Sequence, residues 1–413
     1  MHTNEPQSRP AAEIAQSRSI TVGSENGWRD AGWVQRVSDL VDAVRWPRNA
    51  DLPRLAGLAG LLAAALPPIR PTRWTPHTAA NGRFLHHEPA IFTCPVVGEP
   101  FGPARYFARR FPSVPFIVLA TLWWSQEDPL EARALAIAYR RFRRAHPACR
   151  LIILANTPAE EDRLRRLGME VQLAPQNIFV DENLFFPLPD QPRTFDAIYN
   201  AQLAPYKRHA LARDIGRCAY VTFFPGKYPE RLRSIRTRAF LDRLPQGHSV
   251  LNPIEGDRLA PLPHTAVNAA YAGAHVGLCL SRIEGAMYAS MEYLMAGLPV
   301  VSTPSRGGRD LFFHPDTTII ARDDPREIRQ AVEALKARAV PPEVVRATTL
   351  RLVQRERERF NAFVERLGGV ARAGTDPRWS FAFRHKLGFH EPTIGGLERD
   401  FLAGRDGRPT GAP

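Results

Sequence analysis

Two glutamates in the C-terminal half of the chain are the strongest candidates for residues that bind a ligand. Glu284 and Glu292 are separated by seven residues, a spacing expected by chance in a chain of 413 residues. Their setting is more informative. Glu292 lies in an apolar, helix-like run, residues 289–296, and a carboxylate buried there requires hydrogen-bond partners. The hydroxyl groups of a ligand would supply such partners.

A phosphate-binding helix end is predicted beside the two glutamates. Glu284 falls in the loop that leaves a predicted strand, residues 276–280. The next helix is predicted to begin near residues 285–289, where unpaired backbone N–H groups and the positive end of the helix dipole favour phosphate oxygens. Gly285 would allow a close approach of the backbone. The alternative, in which both glutamates are solvated surface residues, is disfavoured by the apolar residues around Glu292.

The elements that would position these residues form two successive α/β units. Strands are predicted at 115–124 and 149–156, and helices at 129–146 and 158–167. Further strands are predicted at 195–199, 220–224, 276–280 and 299–303, and a long helix at 342–367. Residues 21–88 predict helices at 33–44 and 55–66, the second of them buried, and no strand. Alternation of this kind is typical of parallel sheets wrapped by helices.

A linker containing Pro187, Pro189 and Pro192 separates the two units. The predicted organisation is a polar tail (1–20), an N-terminal Rossmann-like domain (21–187), a C-terminal ligand-binding domain (188–367) and a final tail (368–413). Aromatic residues in the final tail predict that it packs back on the body: Trp379, Phe381, Phe383 and Phe389. Doubly wound domains place their ligands in the crevice at the carboxyl ends of the strands.

Composition and charge restrict the class of protein. The chain has 44% apolar and 23% charged residues, an ordinary globular composition. Its formal charge of +13 suits an anionic partner. The arginines are dispersed along helices, however, and no motif of interleaved aromatic and basic residues predicts nucleic-acid binding. No apolar segment has the length of a membrane span or a signal peptide. The protein is expected in the cytoplasm, with peripheral contact to the inner membrane face left open.

The four cysteines are far apart and form no CxxC pair: Cys94, Cys149, Cys218 and Cys279. Each lies in or beside an apolar run, where a free thiol packs as a small hydrophobic group. The sequence therefore predicts neither disulfides nor a zinc site.

Residues 271–313 resemble the donor-binding region of the retaining GT-B glycosyltransferases, especially the large bacterial family 4. The matching features follow in order: Ser281, Glu284-Gly285, Glu292, the run AGLPVV at 296–301, and Gly307-Gly308. Two shorter matches precede them, one formed by 175–177 with 181–187, the other by LAPYKR at 203–208. The resemblance covers about residues 150–335 and implies the GT-B fold, two Rossmann-like doubly wound domains facing across a cleft.

The resemblance also implies a reaction and a role for each residue. The reaction would move a sugar from a nucleotide-diphosphate sugar to an acceptor, with retention of configuration and without a cofactor. The acceptor would be a glycan, a lipid-linked compound or a small molecule, held mainly by the N-terminal domain. Lys207 would neutralise the diphosphate, with Arg208 beside it; Glu292 would bind the ribose hydroxyls and Glu284 the sugar hydroxyls. The backbone of Gly285, Ala286 and Met287 would contact the sugar or the phosphates.

The chain departs from the family pattern at two places. The family carries an Arg five residues before its Lys, where this chain has Gln202, with Arg208, Arg306 or Arg309 as candidate substitutes. The family's His after an N-terminal strand is replaced by Leu-Trp-Trp at 122–124. The sequence contains no Asp-x-Asp doublet, so it does not predict a metal site. Two alternatives stay open: a nucleotide-sugar epimerase on the same fold, and a catalytically silent GT-B binding module, which both departures favour.

Overall fold

Two β-sheets flanked by helices, together with one two-stranded ribbon, make up the described part of the chain. A computed structural model describes residues 53–65, 74–80, 82–96, 101–224, 230–256, 258–368 and 393–405. One sheet of five strands lies in the N-terminal part of the chain, and one of six strands in the C-terminal part. The predicted fold class, α/β with two Rossmann-like domains in the GT-B arrangement, is confirmed. The helix predicted at 33–44 and the aromatic residues at 379–389 lie outside the described residues.

The five strands of the N-terminal sheet follow one another in chain order. They are β1 (Arg83–His87), β2 (Ala90–Val96), β3 (Phe116–Leu122), β4 (Arg150–Ala155) and β5 (Val171–Leu173). β1 is antiparallel to β2, and the remaining neighbours are parallel. Sequential parallel strands joined by right-handed crossovers carry their helices on one face. The other face packs on residues 176–185 and on a long C-terminal helix.

The C-terminal sheet is parallel, and its strand order reverses once. It contains β6 (Phe195–Asn200), β7 (Cys218–Val221), β8 (Ser249–Val250), β11 (Ala274–Cys279), β12 (Val300–Ser302) and β13 (Thr318–Ile320), beside a ribbon of β9 (Ile254–Glu255) and β10 (Arg258–Leu259). The order is β13-β12-β11-β6-β7-β8. Winding therefore changes direction between β6 and β11, and this reversal opens a crevice at their carboxyl ends.

Ten α-helices lie within the described residues. They are α1 (Pro53–Ala65), α2 (Gly102–Arg110), α3 (Pro129–Ala145), α4 (Pro158–Arg166), α5 (Glu230–Leu241), α6 (His264–Ala272), α7 (Tyr288–Met295), α8 (Pro325–Arg338), α9 (Pro342–Gly368) and α10 (Ile394–Arg405). The start of α4 follows from the sequence: Thr157 accepts a hydrogen bond from the Glu160 N–H, and Pro158 occupies the first helical position. Asp128 and Pro129 play the same parts for α3.

Most predicted elements are confirmed, with ends shifted by a few residues. The strand predicted at 220–224 lies slightly earlier, at Cys218–Val221. The strand β1 was not predicted, because its five residues include two histidines and show no clear alternation of apolar and polar side chains. The chain between β6 and β7 forms two short 3-10 helices, Pro205–Lys207 and His209–Ala212.

The prediction that residues 55–66 form a buried helix is right for the helix and wrong for its burial. Leu55, Leu58 and Leu62 of α1 are 44%, 47% and 54% exposed. The helix packs on α3 through small residues instead: Ala56 is buried, and a Cβ atom at Gly57 would lie 3.0 Å from Leu130. Close helix packing selects small side chains at the contact, so the larger leucines face away from α3.

The two C-terminal helices return to the N-terminal half. In α9, Arg357 donates to the carbonyl oxygens of Ile178 and Val180 at 2.9 and 2.8 Å. In α10, Phe401 packs its ring on Phe84 with 5.0 Å between the centroids. The chain therefore crosses between the domains twice, once before β6 and once after α8.

Candidate active site

The carboxyl ends of both parallel sheets meet in one group of loops. The loop after β3 brings the Trp124 ring to 5.5 Å from that of Tyr206, which follows β6. The Asn177 side chain donates to the Ala286 carbonyl at 2.9 Å, across the same boundary. The carboxyl ends of parallel strands are where α/β proteins hold their ligands. We therefore take this boundary as the candidate site.

Lys207 and Glu284, both predicted as catalytic, are in direct contact. Lys207 Nζ lies 2.6 Å from Glu284 Oε1, and the two side chains are 9% and 13% exposed. Lys207 ends the 3-10 helix after β6, and Glu284 lies in the loop after β11. The ion pair therefore occupies the point at which the strand order reverses. In this structure the two charges neutralise each other. A ligand that carries both an anionic group and hydroxyl groups could break the pair, with Lys207 binding the anion and Glu284 the hydroxyls.

A buried arginine, Arg309, is linked to Glu284 through the hydroxyl group of Ser281. Ser281 Oγ donates to Glu284 Oε1 and accepts from Arg309 Nη1 at 2.8 Å. Arg309 is 2% exposed, and its Nη2 donates to the Thr303 carbonyl at 2.7 Å. The Arg309 guanidinium thus holds Ser281, and through it the carboxylate. Because its guanidinium is bound to Ser281 and Thr303, Arg309 does not take the place of the family's arginine at position 202.

Arg208 is held in a different direction from Lys207. Its backbone has a φ of 54°, in the left-handed region, so successive side chains diverge. Its guanidinium donates to the Leu280 carbonyl and Thr303 Oγ1, at 2.6 and 2.7 Å, and contacts Asp323 Oδ2 at 2.6 Å. Burial alone would raise the pKa of Asp323, but the hydrogen bond and charge of Arg208 hold that pKa below its usual value. Arg208 therefore ties together the loops after β11, β12 and β13.

Glu292 lies on α7 and is 3% exposed, as predicted for a carboxylate in an apolar helix. Tyr271 Oη donates to its Oε2 at 2.7 Å, and Asn200 Nδ2 lies 3.4 Å from the same atom. Burial, and after it the charge of Glu292, raise the pKa of Tyr271 well above its usual value, so the phenol remains a donor. Asn200 ends β6, which places Glu292 beside the same crevice as Lys207.

The segment Gly285, Ala286 and Met287 connects Glu284 to α7. Met287 is left-handed, with a φ of 51°, and precedes the first helical residue, Tyr288. The close approach that Gly285 permits is to the N-terminal domain, because a Cβ atom there would lie 2.5 Å from the Leu122 carbonyl oxygen. The glycine therefore sets how tightly the two domains meet at the site.

Replacing Gly285 by Ala is expected to lower turnover about tenfold while nucleotide affinity changes little, because the new methyl group collides with backbone and displaces the two domains. The measurement is the steady-state rate beside the dissociation constant of the free nucleotide. Gly273→Ala is a matched control, since a Cβ atom there has its nearest neighbour at 3.5 Å. If the two variants turn over alike, the contact between Gly285 and Leu122 has no catalytic role.

Glu160 is a polar residue that positions the site and was not predicted from the sequence. Glu160 is fully buried and accepts hydrogen bonds from the backbone N–H groups of Gln126 and Asn156, both at 2.7 Å. Burial raises the pKa of Glu160 to about 7, against the lowering effect of these two bonds. Glu160 thereby fastens the loop that carries Trp124. The pattern Thr157-x-x-Glu160 resembles a capping box and was the one signal present.

Neither a metal cluster nor a membrane span is found in the part of the chain that the structure describes. No group of three or more His, Cys, Asp or Glu side chains in those residues is placed to hold a metal ion. None of the described helices is long and apolar enough to cross a bilayer.

Comparison with known families identifies the sequence pattern of the C-terminal site. Residues 252–338 match the model of the family described as Glycosyl transferases group 1. The match includes Glu284, Glu292 and the segment between them, so the predicted resemblance to glycosyltransferases is confirmed over this span. No sequence among curated proteins matches the chain.

Three of the solved structures that resemble the chain are the following. Sucrose-phosphate synthase from Thermosynechococcus elongatus has 15% identity and a TM-score of 0.45, over 64% of this chain and 71% of that one. Anabaena HepE in complex with UDP has 15% identity and a TM-score of 0.45, over 65% and 75%. A point mutant of TarM from S. aureus, in complex with fondaparinux, α-GlcNAc-glycerol and UDP, has 14% identity and a TM-score of 0.43, over 63% and 53%.

Proposed function

We propose that the protein transfers a glycosyl group from a nucleotide-diphosphate sugar to an acceptor. One observation carries the proposal: the buried ion pair of Lys207 and Glu284 lies where the strand order of the C-terminal sheet reverses. An activated sugar has a diphosphate, which a cation such as Lys207 can bind. It also has ring hydroxyls, which can donate hydrogen bonds to a carboxylate such as Glu284. The family match over residues 252–338 supports the same function.

Each charged residue has a distinct proposed role. Lys207 leaves Glu284 and binds the donor diphosphate, while Glu284 accepts hydrogen bonds from the sugar hydroxyls. Glu292 accepts from the ribose hydroxyls, with Tyr271 holding its other contact. The backbone of Gly285, Ala286 and Met287 lies before the N-terminus of α7, whose dipole favours the phosphates. Arg208 acts indirectly, because its guanidinium is engaged by Asp323 and backbone.

The proposed reaction breaks the bond between the anomeric carbon and a diphosphate oxygen and forms a bond from that carbon to an acceptor oxygen. The transition state resembles an oxocarbenium ion. Negative charge develops on the leaving diphosphate, where Lys207 stabilises it. In a same-face displacement the leaving diphosphate takes the acceptor proton, so the configuration is retained and no carboxylate nucleophile is required.

A fixed ammonium group on the diphosphate makes a metal ion unnecessary in this mechanism. We expect EDTA to leave the transfer rate within about twofold of that of the untreated enzyme, since Lys207 and the α7 N-terminus supply the charge compensation. The rate is measured with EDTA, then after added Mg²⁺ or Mn²⁺. Complete loss that either metal restores would require a metal-assisted reaction instead.

A catalytically silent binding module is the second candidate function. It is favoured by Gln202, which stands where the family carries an arginine, and by the absence of the family's histidine at 122–124. Such a module would bind the nucleotide sugar through the same residues and leave it intact.

Binding of the donor is tested by a thermal-shift panel of nucleoside diphosphates and nucleotide-diphosphate sugars. A ligand at about a hundred times its dissociation constant stabilises a protein by about 2.7 kcal/mol. We expect one base to stabilise the wild type and to have less effect on Glu292→Ala. If no nucleotide shifts the transition of the wild type, the proposed donor site is wrong.

A further inference from the structure

The two departures from the family pattern meet at one side chain, Tyr206. Gln202 Nε2 donates a hydrogen bond to Tyr206 Oη. Trp124, from the loop with the replaced histidine, packs on the Tyr206 ring edge to face, with 5.5 Å between centroids and an interplanar angle of 73°. Two positions about 80 residues apart in sequence, each a departure from the family pattern, therefore contact the same side chain, and Trp124 does so across the domain boundary.

Tyr206 also contacts the proposed diphosphate-binding cation. The ammonium of Lys207 lies 5.1 Å from the centroid of the Tyr206 ring. Tyr206 itself is 8% exposed, and a cation over a desolvated aromatic ring is held more strongly than one over an exposed ring. The ring thus has Lys207 and Trp124 as neighbours, while its hydroxyl is fixed by Gln202.

The contact between the Lys207 ammonium and the Tyr206 ring can persist when a donor binds. The Lys207 carbonyl accepts a hydrogen bond from Tyr199 Oη at 2.5 Å, which fixes the backbone but not the ammonium. The neighbouring His209 adds no charge, since burial, and after it the charge of Lys207, lower its pKa to about 3. In the proposed reaction Glu284 turns to the sugar, and the Tyr206 ring is the contact of the ammonium that remains among the described residues.

We infer that Tyr206 is a positioning residue for Lys207 and that Trp124 completes its support from the N-terminal domain. The pair, here called the aromatic seat, places the ammonium for the diphosphate only when the two domains meet. Approach of the domains is thereby coupled to the placement of the cation that stabilises the proposed transition state. This inference rests on the proposed function for its catalytic consequence, whereas the contact itself is testable in the unliganded protein.

The seat is tested with Tyr206→Leu and Trp124→Leu, each beside its conservative partner Tyr206→Phe or Trp124→Phe. One readout is the rate at which an amine-reactive reagent modifies Lys207 in the unliganded protein, mapped by peptide mass spectrometry. The other is kcat and KM for the donor. We expect the leucine variants to show faster modification of Lys207 and about tenfold lower kcat, with KM changed less. The phenylalanine variants, which keep a ring, should recover most of both values.

Two results would overturn the seat. One is wild-type modification of Lys207 and wild-type kcat in both leucine variants. The other is equal loss in Tyr206→Phe and Tyr206→Leu, which would assign the effect to the hydroxyl bonded by Gln202 and not to the ring. If the wild type consumes no donor at all, the proposed function fails, and the modification rates alone decide whether the ring holds Lys207.

Discussion

Replacing Lys207 by Met is expected to slow release of the nucleoside diphosphate from the donor by at least about a hundredfold. Removal of one group that stabilises developing charge in an enclosed site typically has an effect of this size. Gln202, at the position of the family's arginine, carries no charge and cannot share this role. The measurement is the initial rate at saturating donor, with folding checked by circular dichroism.

The buried ion pair requires a control that separates stability from catalysis. Lys207→Met leaves the Glu284 carboxylate buried without its cation, which destabilises a protein by about 3 kcal/mol. The double variant Lys207→Met/Glu284→Gln should regain much of that stability and remain inactive. Lys336→Met is a matched control, because Lys336 makes a similar 2.7 Å pair with Asp196 near the amino end of β6, away from the site.

Arg208 decides whether the assignment of the cation is correct. If Lys207→Met retains most of its activity while Arg208→Met loses it and still folds, the diphosphate-binding residue is Arg208. We expect instead that Arg208→Met lowers the free energy of unfolding, because its guanidinium joins Leu280, Thr303 and Asp323. If both variants retain activity, the diphosphate is bound elsewhere.

Glu292→Ala is expected to weaken binding of the free nucleoside diphosphate by roughly a hundredfold, equivalent to about 3 kcal/mol for hydrogen bonds from the ribose hydroxyls to a charged, buried acceptor. The measurement is titration calorimetry with the nucleotide selected by the thermal-shift panel. Tyr271→Phe is a matched control, since it breaks the same 2.7 Å contact while leaving the carboxylate. Its loss of affinity should be much smaller.

Glu284→Ala should behave in the opposite way to Glu292→Ala. Its proposed partner is the sugar, so turnover should fall further than affinity for the free nucleotide. Unchanged nucleotide affinity in a folded Glu292→Ala protein would refute the role of Glu292. Equal loss of affinity for nucleotide and intact donor in Glu284→Ala would refute the role of Glu284.

Local sequence predicted the elements that carry the site better than the contacts within it. The strands before Lys207 and Glu284 were visible as short apolar runs between helical patterns, and the burial of Glu292 followed from its apolar neighbours. These features depend on residues close in sequence, where periodicity and burial are directly related.

The contacts that distinguish this chain lie far apart in sequence. Lys207 and Glu284 are 77 residues apart, and no periodicity signals that they pair. The divergence of Arg208 from Lys207 depends on a left-handed backbone at Arg208, which the residue type does not predict. The meeting of Trp124 with Tyr206 requires the relative position of two domains. Such tertiary contacts are fixed by packing and not by local propensity.

The central claim is tested most directly by release of nucleoside diphosphate from a panel of nucleotide-diphosphate sugars, followed by chromatography without acceptor and with candidate acceptors. We predict that the wild type consumes at least one donor, that free sugar or a new glycoside appears in equal amount, and that Lys207→Met shows almost no release. A wild type that binds the nucleotide yet leaves every donor intact, or converts a donor into an isomeric nucleotide sugar without release, would contradict glycosyl transfer.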